Sequence, residues 1–322
     1  MSNNRIFYAV QALGIEPSDN GTGAVTWMKG VQSVGITTNF NLEQAYELGQ
    51  LAVYQNIENV PEIEVTAEKV LDGNGLLYIT ACPGGSTDIV TASNETAGLY
   101  ISIHADTNTS ASGSSVGIVY CSSVRPSNVS YTFPVEGNAT ESVTFVGNDK
   151  TWLHSPANAA DYPTIDGTPH APSPSSGIFR RQHFVNHDGS TSKIPLEVRT
   201  AVGNGKLQNV SVSVDFGREN IFELGAFRPY YKFTSFPVQT TCDFEVIALS
   251  GDRVDAVATS ANNLTDQAIK ILSNNGTHSI EIDLGDKNKL TSVNYTGGDT
   301  GGGNATMTFS YQGFNFFKVT PT

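Results

Sequence analysis

The chain has 322 residues, with 18 Lys or Arg against 31 Asp or Glu, a formal net charge of −13. That balance favours solubility and argues against a phosphate-binding groove, and the length suits about two domains of roughly 150 residues, each large enough for its own core. Cys82, Cys121 and Cys242 are an odd number without CxxC spacing; they fit buried thiols of a cytosol-made protein better than a disulfide framework.

The opening residues lack a basic region followed by an apolar core, so no signal peptide is expected, and no apolar run is long enough to span a membrane. The first clear element is a strand in which Val34, Ile36 and Phe40 alternate with Gly35, Thr37 and Asn39. The stretch from Leu42 to Leu51 has helical propensity but is read as strand–turn–strand. Ile63, Val65 and Ala67 then alternate with Glu62, Glu64, Thr66 and Glu68. Turn chemistry follows at Asp72-Gly73-Asn74-Gly75 and Pro83-Gly84-Gly85. Later strands are predicted where Val210, Val212, Val214 and Phe216 alternate with polar residues, and again at Ile280, Ile282 and Leu284 and at Met307, Phe309 and Tyr311.

One stretch occurs twice. VQSVGITTNFNLEQAYELGQLAVYQNIENVP, from Val31 to Pro61, aligns without a gap to LQNVSVSVDFGRENIFELGAFRPYYKFTSFP, from Leu207 to Pro237, at an offset of 207 − 31 = 176 residues. Phe40 meets Phe216, Glu47-Leu48-Gly49 meets Glu223-Leu224-Gly225, and Tyr54 meets Tyr230. Weaker matches join Arg5-Ile6-Phe7 to Gly177-Ile178-Phe179, Ser93 to Ile103 with Asn262 to Leu272, and Asn138 to Phe145 with Asn304 to Phe309. A repeat of this length is a fold-sized unit used twice. It predicts two tandem β-domains, residues 1–155 and 177–322, with at most one short helix each. Residues 156–176, rich in Pro, Ala, Ser and Gly, are the expected linker. Through Ser155 there are 5 basic and 15 acidic residues, net −10; the remainder nets −3.

Chemistry-bearing motifs are few. Gly113-Ser114-Ser115-Val116-Gly117 fits GxSxG, but that motif needs a strand before it and a helix after it, and a strand-like Ile118-Val119-Tyr120 follows. His183 and His187 could share a helix face and a metal, yet Asn186 and Gly189 favour a loop. The glycine run 297–303 lacks the Lys-Ser/Thr of a phosphate loop and reads as a hairpin tip. Glu58, Glu62, Glu64 and Glu68 have no calcium-loop pattern and suit a wet exterior or channel wall. No catalytic site, cofactor or metal is expected.

The segment from Val31 to Gly73, its parallel from Leu207 to Asp252 and the late IDLGDKNKLTSVNYTGG resemble phage tail tube proteins. That resemblance implies an all-β sandwich or barrel-like tube fold, here duplicated, and a virion protein made in the host cytoplasm. It implies stacked rings conducting the genome, with DNA only in transit, and sheath, tail terminator or baseplate proteins as further partners. A doubled tube domain predicts three chains per ring in pseudo-sixfold array, the alternative being six chains. An acidic lumen would repel phosphates, and its expected residues are Glu43, Glu47, Glu58, Glu62, Glu64 and Glu68. The alternatives are a tail hub or baseplate protein, a head decoration protein, and a carbohydrate-binding β-sandwich. The last as an enzyme would need two carboxylates at a workable separation in a pocket.

Overall fold

The computed structural model describes residues 5–18, 25–111, 115–153, 177–185, 193–202, 206–248, 254–257, 264–298 and 303–322. The expected linker 156–176, His187, Gly113, Ser114 and glycines 301–302 lie outside the described residues. The first half contains β1 (Gln11–Pro17), β2 (Thr26–Trp27), β3 (Val31–Asn39), β4 (Leu42–Tyr46), β5 (Val53–Glu58) and β6 (Glu62–Val70). Helices α1 (Leu77–Ala81) and α2 (Ile89–Asn94) follow, then β7 (Ala97–Ile103), β8 (Gly117–Pro134), β9 (Thr140–Gly147) and β10 (Asp149–Leu153). The second half contains α3 (Leu196–Val202), β11 (Leu207–Asp215), β12 (Arg218–Ile221), β13 (Tyr231–Thr234) and β14 (Gln239–Ile247). It ends with β15 (Lys270–Asn274), β16 (Ser279–Asp283), β17 (Lys289–Thr296), β18 (Thr306–Phe314) and β19 (Lys318–Pro321).

The protein is mainly β, as the period-2 patterns predict. Two helices rather than one lie in the first half, a correction to the expected count. Their signal was hidden because Pro83-Gly84-Gly85 between them reads as a bare turn. Each helix is held at its start by a carboxylate, which accepts N–H groups that have no partner within the helix. Asp88 takes Thr91 N–H at 2.6 Å, and Glu141, 64 residues from Leu77, takes Leu77 and Tyr78 N–H at 2.7 and 3.0 Å.

The organising strand is β8, 18 residues long. It bends near Ser123, whose φ of 49° is left-handed. Before the bend it pairs with β7 and β10; after it, with β9 and β11. The second set of pairings builds one antiparallel sheet of eight strands in the order β3-β6-β9-β8-β11-β14-β18-β17. Four strands come from each half, and β8 against β11 is the seam between them.

Within that sheet the order β3-β6-β9-β8 has a counterpart in β11-β14-β18-β17. The irregularities match too. β3 slips register between Val31 and Ser33 and β11 between Leu207 and Asn209, again 176 residues apart. β8 slips between Pro126 and Asn128, and β17 between Leu290 and Ser292. Hairpin β4–β5 leaves β3 after the left-handed Asn41, and hairpin β12–β13 leaves β11 after the left-handed Gly217. The first half's other strands run β2-β1-β7-β8-β10, and their part β7-β8-β10 corresponds to the three-stranded sheet β15-β16-β19, with β8 alone doing what β16 and β17 do separately.

The core runs through both halves without a break. At the seam, Tyr78 packs against Phe216 and Phe317 at ring-centroid distances of 6.0 and 5.6 Å, and Tyr131 against Phe317 at 6.4 Å. All four rings are fully buried, and aromatic pairs at such distances add roughly 0.5–1.5 kcal/mol each beyond their buried area. Phe179 enters between Leu71 and Ala139, donating its N–H to Leu71 O at 2.9 Å and accepting from Ala139 N–H at 3.0 Å. The start of the second half is thus stitched into the first. Cys82, Cys121 and Cys242 are buried free thiols.

Two of the buried charged side chains, Lys69 and Glu141, take inward positions on strands of the large sheet. Lys69 occupies an inward position of β6, in line with Ile63, Val65 and Ala67, and meets Asp72 at 2.7 Å. It also donates to Lys29 O at 2.7 Å. Removing one member of a buried pair strands the other, so Lys69→Ala should cost about 3–5 kcal/mol in urea unfolding.

Glu141, fully buried, also accepts the Tyr131 hydroxyl at 2.9 Å. Burial raises its pKa, against the lowering effect of its hydrogen bonds. A raised folded-state pKa means that the native protein holds the proton more tightly. That stabilisation is therefore complete below the ordinary Glu range and is lost as pH rises through the folded value. The stability difference between wild type and Glu141→Gln, followed by denaturant titration, should be largest at acidic pH and shrink towards neutrality.

Candidate assembly surface

The two faces of the eight-stranded sheet differ in chemistry. The inner face carries Val65, Val129, Val143, Val212, Phe244 and Phe309, all fully buried. The outer face follows from the same ladders, because paired residues put their side chains on one side. Running across the strands, it presents Gly35, Thr66, Thr144, Asn128, Asp215, Gln239 and their neighbours two residues on. Most are Ser, Thr, Asn, Asp or Glu. Glu62, Glu64 and Glu68 lie here on β6, and Asp243 and Glu245 on β14. Among the described residues of these ladders, the cations on this side lie at the hairpin end. There Arg125 is buried under Tyr231 at 4.5 Å, and Lys289 pairs with Asp266 at 2.8 Å.

Two hairpins project from that same end. Leu48 and Leu224, at their tips, are 103% and 105% exposed. Behind them Tyr46, Leu51 and Tyr54 on one hairpin, and Phe222, Phe227 and Tyr230 on the other, are exposed as well. Gly49 at φ 95° and Gly225 at φ 90° close the two turns, a conformation that a Cβ disfavours. Exposed apolar groups gathered in this way mark contact surfaces. A groove of about 430 Å³ lies between the base of β4–β5 and the turn end of β12–β13, lined by Asn41, Glu62, Asn148, Phe222 and Phe227 among others.

The hairpins are anchored differently. Hairpin β12–β13 lies across the seam on the first half. Arg218 donates to Pro126 O at 2.8 Å, Ser93 O at 2.7 Å and Thr234 Oγ1 at 2.7 Å. Tyr231 donates to Asn94 O at 3.3 Å, and Arg228 reaches Asp149 at 2.9 Å. Burial lowers the Arg218 pKa to about 10 and pulls Lys232 down as well. Hairpin β4–β5 is tied to its own base, with Asn41 Nδ2 donating to Val60 O at 3.2 Å.

The six glutamates therefore divide. Glu62, Glu64 and Glu68 share the polar face; Glu43, Glu47 and Glu58 sit on the exposed β4–β5 hairpin, with Glu47 accepting from Gln50 at 3.2 Å. Arg125, Arg218 and Lys232 escaped sequence reading, because a cation on a strand carries no mark of burial. His183 accepts the Arg180 N–H at 3.1 Å through Nδ1. Among the described residues, no group of three or more His, Cys, Asp or Glu is placed to hold a metal ion, and no helix is long and apolar enough to cross a membrane.

No family model matches the chain, and no curated protein matches it significantly. Among solved structures, a chain of one described as "Cryo-EM structure of the anti-feeding prophage (AFP) baseplate, 6-fold symmetrised" is similar to 48% of this chain over 97% of its own length, at 12% identity and a TM-score of 0.34.

Because the tip leucines contact nothing that would be lost, Leu48→Asp and Leu224→Asp together should change the chain's own stability by no more than about 0.5 kcal/mol each. Thermal or urea unfolding of the double variant checks this.

Proposed function

We propose that this chain is a virion structural protein, a phage tail tube subunit built from two fused copies of one tube unit. On this reading its rings stack to line the conduit for genome delivery. The observation that supports it most is the eight-stranded sheet, with a polar, cation-poor face on one side and two apolar-tipped hairpins at one end. A conduit wall must let DNA pass without holding it. Hydroxyl, amide and carboxylate side chains offer no counter-charge to phosphates, and acidic groups repel them. The hairpins supply what stacking needs, apolar surface directed out of the sheet towards a neighbouring ring.

The fused-copy reading rests on the matching bulges, turns and strand orders of the halves, which a common 176-residue offset accompanies at β3 and β11. The chain acts by assembly rather than catalysis, and sheath, terminator or baseplate proteins would meet the ends and exterior of such a tube. Purified protein examined by negative-stain microscopy should show rings with a central channel, and stacks of them at higher concentration. In Leu48→Asp/Leu224→Asp, rings should persist while stacks are lost. Protein that stays a single chain at every concentration and salt tested would reject the reading.

A further inference from the structure

The two ends of the eight-stranded sheet are β3 and β17. β3 pairs with β6 and β17 with β18, and among the described residues neither has a strand on its other side. Open edges of this length invite another strand, and proteins that stay monomeric usually blunt them. The seam inside the chain already shows an equivalent junction made. β8 is the counterpart of β17 by its place and its bulge, and β11 that of β3. Burial tells the same story. Phe216, just past β11, and Tyr131, on β8, are fully buried at the seam; their counterparts Phe40 and Tyr295 are 64% and 60% exposed.

We infer that β17 of one copy adds to β3 of a second copy in the register of the β8–β11 seam. This rests on the ring-forming reading above and deepens it by naming the partner strand and its alignment. The register follows by transfer. In the seam Ser130 faces Ser213, Tyr131 faces Val212 and Asn128 faces Asp215. Counting from the shared bulges, β8 maps to β17 by 292 − 128 = 164 and β11 to β3 by 209 − 33 = 176. Asn294 then faces Thr37 of the next copy, Tyr295 faces Ile36 and Ser292 faces Asn39. No charge meets a like charge, and the exposed Tyr295 gains an apolar neighbour.

Hairpin β4–β5 fits the same arrangement. Its counterpart β12–β13 rests across the seam on the half that precedes it. Among the described residues no equivalent bed lies under β4–β5, and the second copy would supply it.

The inference also fixes the ring size. Eight strands per copy give 3 × 8 = 24 for three copies. With strands about 4.8 Å apart and tilted by about 40°, a closed wall of that size is about 48 Å across at the backbone. Six copies joined edge to edge would double this to about 96 Å, far wider than one DNA duplex requires.

Paired cysteines test the register. In the seam, Phe216 N–H bonds to Ser127 O and Val135 N–H to Gln208 O, both at 2.8 Å. Counting inwards by twos puts Ser130 opposite Ser213 at a non-hydrogen-bonded position, where side chains lie closest and a disulfide can span. The variant is therefore Thr37→Cys/Asn294→Cys, at exposed positions that do not face each other within one chain. Under mild oxidation, non-reducing electrophoresis should show dimers and trimers, ending in a circular three-chain species. Thr37→Cys/Thr296→Cys, two residues out of register, should link at least tenfold less. Preferential linking of the shifted pair would overturn the inference. So would rings visible by microscopy in which Thr37→Cys/Asn294→Cys fails to link; the ring-forming reading would then survive without this register. Protein that remains one chain, reduced or oxidised, would reject both.

Discussion

The seam between β8 and β11 is the constraint on which the rest of the molecule depends. An antiparallel ladder running from Asn128–Asp215 to Pro134–Asn209 joins residues far apart in sequence. Such long-range pairing is entropically costly to close, so something must reward it. The reward is the fully buried set Tyr78, Tyr131, Phe216 and Phe317, two rings from each half. Glu141 fixes Tyr131 from below and the start of α1 from the side. α1 in turn carries Tyr78 into the cluster. A single buried carboxylate thus sets the positions of two of the four rings that hold the halves together.

The bend at Ser123 follows from the same demand. One strand cannot serve two sheets in different planes without turning, and β8 turns where its partners change from β7 and β10 to β9 and β11. The second half separates this task into β16 and β17, with the left-handed Gly285 between them. The core on one side of the large sheet leaves the other side free of any packing duty. That freedom is what lets Ser, Thr, Asn and Glu line it without leaving buried groups unsatisfied.

Legibility in the sequence tracked exposure. β6, β11, β14 and β18 have one buried and one polar face, β3 has one half-buried face, and period-2 alternation found most of them. The Leu42 to Leu51 stretch, read as strand–turn–strand against its helical propensity, forms β4, a turn and the start of the approach to β5. β7 was read only as a weak match between halves, because all seven of its residues are buried and both its faces are covered. Alternation has nothing to report there. The seam was not legible at all. The proline-rich stretch at 156–176 lies outside the described residues, and its composition carries no sign that β8 pairs with β11. Of the six glutamates, the three that alternate on β6 share a face as their spacing required. Glu43, Glu47 and Glu58 were grouped with them by charge alone, and charge does not say which way a hairpin leaves a sheet. Lys69 and Glu141 did leave a trace. Each occupies an apolar parity position of its strand, a sign of a buried, partnered charge.

Two similar hairpins are held unequally. β4–β5 and β12–β13 share the Glu-Leu-Gly tip, the left-handed turn glycine and an exposed apolar flank. Among the described residues only β12–β13 has a bed, supplied by α2 and the bend of β8, and its anchors are substantial: Arg218 makes three hydrogen bonds from a position that burial has already made costly for a cation. The corresponding position on β4–β5 is Leu42, 64% exposed. A leucine needs no counter-charge or carbonyl ring around it, only cover. The difference is what a chain would carry if one junction is always made within it and the other is made reversibly between copies. The internal junction can afford a desolvated, hydrogen-bonded arginine because its partners never leave. The external one is better served by apolar contact, which costs little when the surface is open to water and orders nothing until the neighbour arrives.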